Sequence, residues 1–457
     1  MIRLCAKASL VLLSLTLAAC TSPPSQDTPE GRSATVRSVL WTIAKYRDRQ
    51  PHDNPAVAQL DPRWGEAYVS AEDPESRRVA MVKLLDQLDD GHAGIHRRAD
   101  TDYFYPSCVI GTIDGRQYVE WFDAGRDADG RWRTARSVVE VHTIDGYGPN
   151  RLAALATLLF SAREEPARLV GRRVGSGEVE EFLLNRTIDG SISVASTRVP
   201  SPTGARVTSR MVGAEDEIYA AILRDSPSIG LVRYAWMSRT HRADDDSDAA
   251  CQHLQGACDV AEAMIAAADA VSDCDWIIVD LQGSAGGTCA HAAAICATLL
   301  PKSVFTMPFS HLDRGLIGNL LGSHHWKWPR RSRVGEHTRF LFLIDDATVS
   351  ASEHIAGVFR ILPDTVFIGT RSAGSEYSLG TIDLADGLTI DFGANPGVWR
   401  GLPAVEGRGI SPTIHVPPDE AILARDGIRA CMRDHRRRSL EAAIAFIDTL
   451  PADDAGR

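Results

Sequence analysis

Arg339-Phe340-Leu341-Phe342-Leu343-Ile344 runs straight into Asp345-Asp346-Ala347-Thr348-Val349-Ser350-Ala351-Ser352-Glu353, and the reading of that join decides the fold. The apolar hexapeptide has the composition of a strand buried on both faces. Glu353 to Leu362 has helical character, so the polar stretch between is a strand-to-helix turn. In α/β folds such turns, at the ends of apolar strands, carry the chemistry. A serine here places its hydroxyl beside a helix N-terminus, whose dipole favours a developing anion. Serine also caps helices, and Ser352 by itself reads as a cap.

Working outward, Trp276–Val279 is a second short, fully apolar strand, followed by Asp280-Leu281-Gln282-Gly283-Ser284-Ala285-Gly286-Gly287. Its glycines let backbone N–H groups approach a ligand or an oxyanion closely. A third turn, Glu406-Gly407-Arg408-Gly409-Ile410-Ser411-Pro412, comes late in the chain. Between and around these turns, strands (Gly230–Trp236, Thr365–Ile368, Leu388–Phe392) alternate with helices (Val260–Val271, Ala290–Leu300). That alternation predicts an α/β layered domain over residues 201–440. Glu441–Leu450 reads as a helix within a C-terminal segment 441–457, and Arg436-Arg437-Arg438 at its start as a solvated face.

The N-terminal half differs. Residues 33–100 read as a helical region, with Val79, Val82, Leu85 and Leu88 recurring at three-residue steps. Residues 101–200 read as a β-rich module, with Cys108–Ile113 and Gln117–Phe122 flanking the hairpin signal Asp114-Gly115 and a helix over Asn150–Phe160. The order of elements resembles a PDZ-like module, in which a groove beside a helix takes a peptide as an added strand. Arg3 and Lys7 precede the apolar run Ala8–Ala19, too short to span a bilayer and suited to a signal-peptide core. It ends Leu17-Ala18-Ala19-Cys20, which resembles a bacterial lipobox. Residues 1–19 are then a lipoprotein signal, Cys20 the lipid site and 20–32 a tether, which predicts a periplasm-facing lipoprotein of the outer membrane.

The chain of 457 residues carries a net charge of −11, with 44% hydrophobic, 24% charged and 7% aromatic residues. An acidic, aromatic-poor globular composition disfavours general nucleic-acid binding. Of the remaining cysteines, Cys108, Cys251, Cys258, Cys274, Cys289, Cys296 and Cys431, the pair Cys251–Cys258 is the first disulfide candidate. His324-His325, with His311 and His337, lack metal-ligand spacing, so no metal is expected. The long connection Pro301–Thr338 reads as a flap or a solvated insertion.

Taken together, the three turns resemble the C-terminal processing (tail-specific) serine peptidase family, with its Asp-Leu-Arg-x-Asn-x-Gly-Gly turn, Ser-Ala-Ser-Glu element and Glu-Gly-x-Gly-x-x-Pro-Asp turn. Leu88-Asp89-Asp90-Gly91-His92 matches a fourth element, Leu-x-Asp-x-His, and the likeness covers residues 35–430. Gln282, Ser284 and Thr413 depart from the family residues. The resemblance implies a layered crotonase/ClpP-like fold, Ser350 as nucleophile, and the N–H groups of Gly286, Gly287 and Ala351 as an oxyanion hole. Where many members carry a catalytic lysine this chain has Ser375, so it resembles the tricorn-core-like branch. That mapping makes His92 the base, with His96 as an alternative, and Glu406 the carboxylate that orients it.

A serine hydroxyl becomes a competent nucleophile only when a base takes its proton, and a histidine of pKa ~6.5 suits neutral pH. The expected function is a lipid-anchored periplasmic serine endopeptidase with a Ser-His-Glu arrangement. It would cleave unstructured or C-terminal polypeptide segments through an acyl-enzyme, without cofactor. The alternative is a catalytically silent peptide-binding protein on the same scaffold.

Overall fold

The computed structural model describes residues 28–48, 60–88, 90, 93–96, 102–126, 132–195, 206–210, 218–235, 263–287, 289–301, 309–311, 334–376, 378–384, 388–394, 397–399 and 402–451. The lipobox with Cys20, the Cys251–Cys258 pair, His324, His325 and most of the 301–338 connection lie outside them.

A seven-stranded sheet forms the centre of the C-terminal half. Its spatial order is Ile414–His415, Val366–Gly369, Arg339–Ile344, Trp276–Asp280, Ser228–Tyr234, Ile218–Asp225, Arg206–Arg210. The first five strands run parallel and the last two pairings are antiparallel. Every residue of Trp276–Asp280 is buried, as expected of a parallel strand covered on both faces. Alternate residues go to opposite layers. Ile277, Val279, Phe340 and Phe342 pack with Ile295 and Leu299 of helix Cys289–Leu299 and with Ile355 and Phe359 of helix Ala351–Phe359. Ile278, Leu341, Leu343 and Ile368 pack instead against Ala443 and Ile447 of the C-terminal helix. The layered α/β architecture read from the sequence is therefore the architecture found.

The pairing Asp280↔Leu343 and Ile344↔Gly369 levels the C-terminal ends of three neighbouring strands. The turns after Asp280 and Ile344 and the loop after Gly369 consequently leave the sheet side by side.

The β-rich half is a six-stranded sheet ordered Val179–Leu184, Ala167–Arg173, Trp132–Ile144, Arg116–Arg126, Cys108–Ile113, Ile192–Val194. Asp114 (φ 51°) and Gly115 (φ 76°) close the expected two-residue hairpin, with Ile113 paired to Arg116. Helix Leu152–Leu159 and the N-terminal helices share one core with this sheet, joining Ile43, Met81, Leu84 and Leu88 to Val119, Val139 and Leu155. A small third sheet pairs Gly94–His96 with Thr389–Ala394, and that strand with Ser378–Asp383.

Two readings of the C-terminal segment are corrected. The helix expected at Glu441–Leu450 spans Ile428–Asp448. Arg436, read as part of a solvated face, is 2% exposed. The buried stripe of this helix includes Ile428, Cys431, Met432, His435, Arg436 and Ser439, and its polar members interrupt the apolar periodicity that would have marked its first half. Cys108, Cys274, Cys296 and Cys431 are free and buried.

Candidate active site

Ser350 is the residue preceding helix Ala351–Phe359, at φ 57° and ψ −123°, a region that a side chain enters at a cost of about 1–3 kcal/mol. Its surroundings over-determine that conformation. The Ser350 N–H donates to the Ser375 carbonyl at 2.8 Å, and the Ser350 carbonyl accepts from Glu353 N–H at 2.8 Å. Val349 N–H donates to the Ser284 carbonyl at 3.0 Å. The Ser350 hydroxyl makes no capping bond, so the helix N-terminus does not engage it. Ser352, which reads from the sequence as a cap, is instead fully buried, its Oγ 2.6 Å from Ser284 Oγ. This hydroxyl pair ties the glycine turn to the serine turn.

Gly286 (φ 77°) lies directly against the backbone of Ser350. A Cβ there would fall 2.8 Å from Ser350 Cβ, 2.9 Å from Ala351 N and 2.6 Å from the Val349 carbonyl oxygen. Only glycine fits, in space and in backbone angle. Gly287 follows at φ 139°. Ala351 opens the helix, so its N–H is one of those with no intrahelical acceptor.

The turn carrying Gly286 rests on buried charge that sequence reasoning missed. Arg233 is ion-paired with Asp280 and donates to the Gln282 carbonyl at 3.2 Å. Asp345 Oδ1 accepts from Gly283 N–H at 2.8 Å and from Ala347 N–H at 3.0 Å. Arg436 approaches Asp345 at 3.7 Å and packs under Gly283, where a Cβ would fall 1.6 Å from Arg436 Nη2. Burial pulls the Arg436 guanidinium down to about 10. The fully buried Gln282 donates from Nε2 to Ser439 Oγ at 3.2 Å.

Glu406 is buried, and its Oε2 accepts the N–H of Glu376 at 2.6 Å. The following residue ties the same two loops, Gly407 N–H donating to the Gly374 carbonyl at 2.8 Å. Beneath both lies Glu353, whose Oε1 accepts from Ser372 Oγ at 2.6 Å and Gly374 N–H at 2.7 Å, and whose Oε2 accepts from Ser375 N–H at 2.6 Å. Desolvation outweighs these donors and pushes the Glu353 carboxyl up to about 7. His354 Nε2 is 3.8 Å from Glu376 Oε1, both side chains buried. No sequence signal marks this pair, because only the fold brings residues 354 and 376 together.

His92 lies outside the described residues, as does Gly91. The flanking residues are placed: Asp90 Oδ2 accepts from Gly393 N–H at 2.7 Å, and Gly94 pairs with Asp391. The strand Thr389–Ala394 that receives them pairs with Ser378–Asp383, which begins two residues after Glu376. His96 sits on the same edge strand, opposite Thr389. Among the described residues no group of three or more His, Cys, Asp or Glu could hold a metal ion.

A cleft of about 860 Å³ separates the β-rich half from the seven-stranded sheet, and Val349 and Ser375, which flank the Ser350 backbone bond, line it. Across it the hairpin tip reaches the serine turn, Asp114 and Gly115 N–H groups donating to the Asp346 carboxylate at 2.8 and 2.7 Å. Burial pushes the Asp346 carboxyl up to about 6.

Residues 228–416, which contain Gly286, Ser350 and Glu406, match the family model described as Peptidase family S41. By this match the protein is a serine-type peptidase, a hydrolase whose substrates are polypeptides. No curated protein sequence matches significantly. Among solved structures, mature CPAF superposes with a TM-score of 0.57 at 16% identity, covering 92% of this chain and 98% of that one. Mature CPAF complexed with lactacystin follows at 0.51 and 14%, covering 92% and 99%. A photosystem II D1 C-terminal processing protease scores 0.40 at 17%, covering 88% and 99%. At these identities the two CPAF structures establish a shared fold.

Proposed function

We propose that the protein is a lipid-anchored periplasmic serine endopeptidase that cleaves unstructured polypeptide segments through an acyl-enzyme. Ser350 Oγ attacks the scissile carbonyl carbon while His92 takes its proton, and Glu406 orients the imidazole. The tetrahedral oxyanion accepts hydrogen bonds from the N–H groups of Gly286, Gly287 and Ala351, each contributing about 3 kcal/mol to transition-state stabilisation. His92 then returns the proton to the leaving amine, and water hydrolyses the ester. The six-stranded sheet with helix Leu152–Leu159 serves as a PDZ-like module that holds the peptide. Cys20 carries the lipid, which mass spectrometry of the mature N-terminus tests.

The observation that carries this reading is Ser350 itself. It stands at a helix N-terminus in a strained conformation, its hydroxyl makes no capping bond, and Gly286 is pressed against its Cβ. A fluorophosphonate probe tests it. Labelling is expected for the wild type and for Ser352→Ala, and its loss for Ser350→Ala. Labelling that survives Ser350→Ala and vanishes in Ser352→Ala moves the nucleophile by two residues. Because a relative of the same fold was captured with lactacystin, that compound is a second probe.

A further inference from the structure

The cleft beside the serine turn carries positive charge that the described residues do not neutralise. Arg371 and Arg408 both line it, both are exposed, and neither side chain has a hydrogen bond or ion pair among the described residues. They project from adjacent turns. Ser372 N–H donates to the Ile410 carbonyl at 3.1 Å, and Arg371 Cγ lies 3.0 Å from where a Gly409 Cβ would stand. From the opposite wall comes Arg151, which holds Asp86 at 3.3 Å and the Leu85 carbonyl at 2.6 Å. Its Nη1 is buried without a hydrogen-bond partner.

The acids of the same cleft are already engaged. Asp346 accepts the two hairpin N–H groups and Thr370 Oγ1, and Asp114 pairs with His415 at 3.1 Å. Two neighbouring guanidiniums without counter-ions among the described residues form a receptor for carboxylates, since guanidinium binds carboxylate through paired N–H donors, and Arg151, already paired with Asp86, adds to the positive potential of the same cleft. The molecule as a whole opposes this, with a net charge of −11. Local contacts in the cleft, not long-range attraction, would therefore select an anionic segment.

We propose that Arg371 and Arg408, assisted by Arg151, are specificity-determining residues that select polypeptide segments bearing acidic side chains beside the scissile bond. This rests on the peptidase reading of Ser350 and names the substrate class of that site.

The test uses C-terminally amidated fluorogenic peptides that differ only in Asp/Glu against Asn/Gln around the cleavage position. Wild-type kcat/KM should favour the acidic peptide by roughly three- to tenfold, with the advantage shrinking as salt rises. The double variant Arg371→Glu/Arg408→Glu should invert the order and prefer a lysine-substituted peptide. Binding of the same peptides to Ser350→Ala, read by fluorescence anisotropy, asks the question without turnover. If fluorophosphonate labelling fails, the peptidase reading falls while the binding preference is still measured. Equal kcat/KM and equal binding for the acidic and amide peptides overturn the proposal. So does a preference that follows only a free C-terminal carboxylate.

Discussion

The N–H of Glu376 points at the Glu406 carboxylate from 2.6 Å, and the carbonyl of the preceding residue, Ser375, holds the N–H of Ser350. Ser350 and Glu406 are thus hydrogen-bonded to consecutive residues of one loop. A shift of that loop would carry both, because the two anchoring residues are joined by one peptide bond. If Glu406 orients the base, Glu406→Gln keeps an acceptor for Glu376 and loses the charge. Its kcat should fall by about a hundredfold or more with KM little changed. A variant with near-wild-type kcat removes Glu406 from the mechanism.

Gly286→Ala adds a methyl into a space closed by Ser350 Cβ, Ala351 N and the Val349 carbonyl, at a φ of 77°. The glycine turn must retreat by several tenths of an ångström. Turnover should drop by about 10²–10³-fold, the effect of losing one oxyanion donor. Steady-state kinetics with thermal melting separates this from unfolding, since a folded, active Gly286→Ala protein contradicts the placement.

Arg436 and Arg437 are neighbours in sequence and opposites in environment. Arg436 is buried against Asp345 and Gly283, whereas Arg437 pairs with Asp434 and Glu441 on the surface. Arg436→Met leaves Asp345 without its cation and should cost about 3–5 kcal/mol of stability. Arg437→Met should cost under about 1 kcal/mol. Denaturant unfolding of the two variants decides, and equal midpoints would refute the buried brace.

Glu353 and Asp346 titrate above their ordinary values, at about 7 and about 6, chiefly because burial penalises the charged carboxylate. A raised acid binds more protons in the folded than in the unfolded state, so stability falls as pH rises through the gap between the two values. For Glu353 that gap runs from 4.5 to about 7. The melting temperature should therefore decline across this range from these groups, and Glu353→Gln should flatten the decline. An unchanged pH slope in Glu353→Gln would show that the carboxyl titrates normally.

What was legible in the sequence was local. The apolar strands Trp276–Asp280 and Arg339–Ile344 and the turns after them announce themselves, because a buried parallel strand must be apolar and a tight turn must use glycine or serine. The Asp114-Gly115 hairpin is equally local. The supports of the site were not legible. Arg233 and Arg436 reach the glycine turn from strand Ser228–Tyr234 and helix Ile428–Asp448, and a charge destined for burial looks like any surface charge until its partner is known. Glu353 reads as part of a helix start, and only the fold reveals that it gathers the donors of residues 372–375.

The central claim is that His92 and Glu406 act on Ser350 as one unit. The rate at which a fluorophosphonate phosphonylates Ser350, measured in His92→Ala, Glu406→Gln and the double variant, tests it most directly. Groups that act through one another are not additive, so the double variant should be no slower than His92→Ala alone. Losses that multiply, or a His92→Ala protein that is phosphonylated at the wild-type rate, would contradict the account.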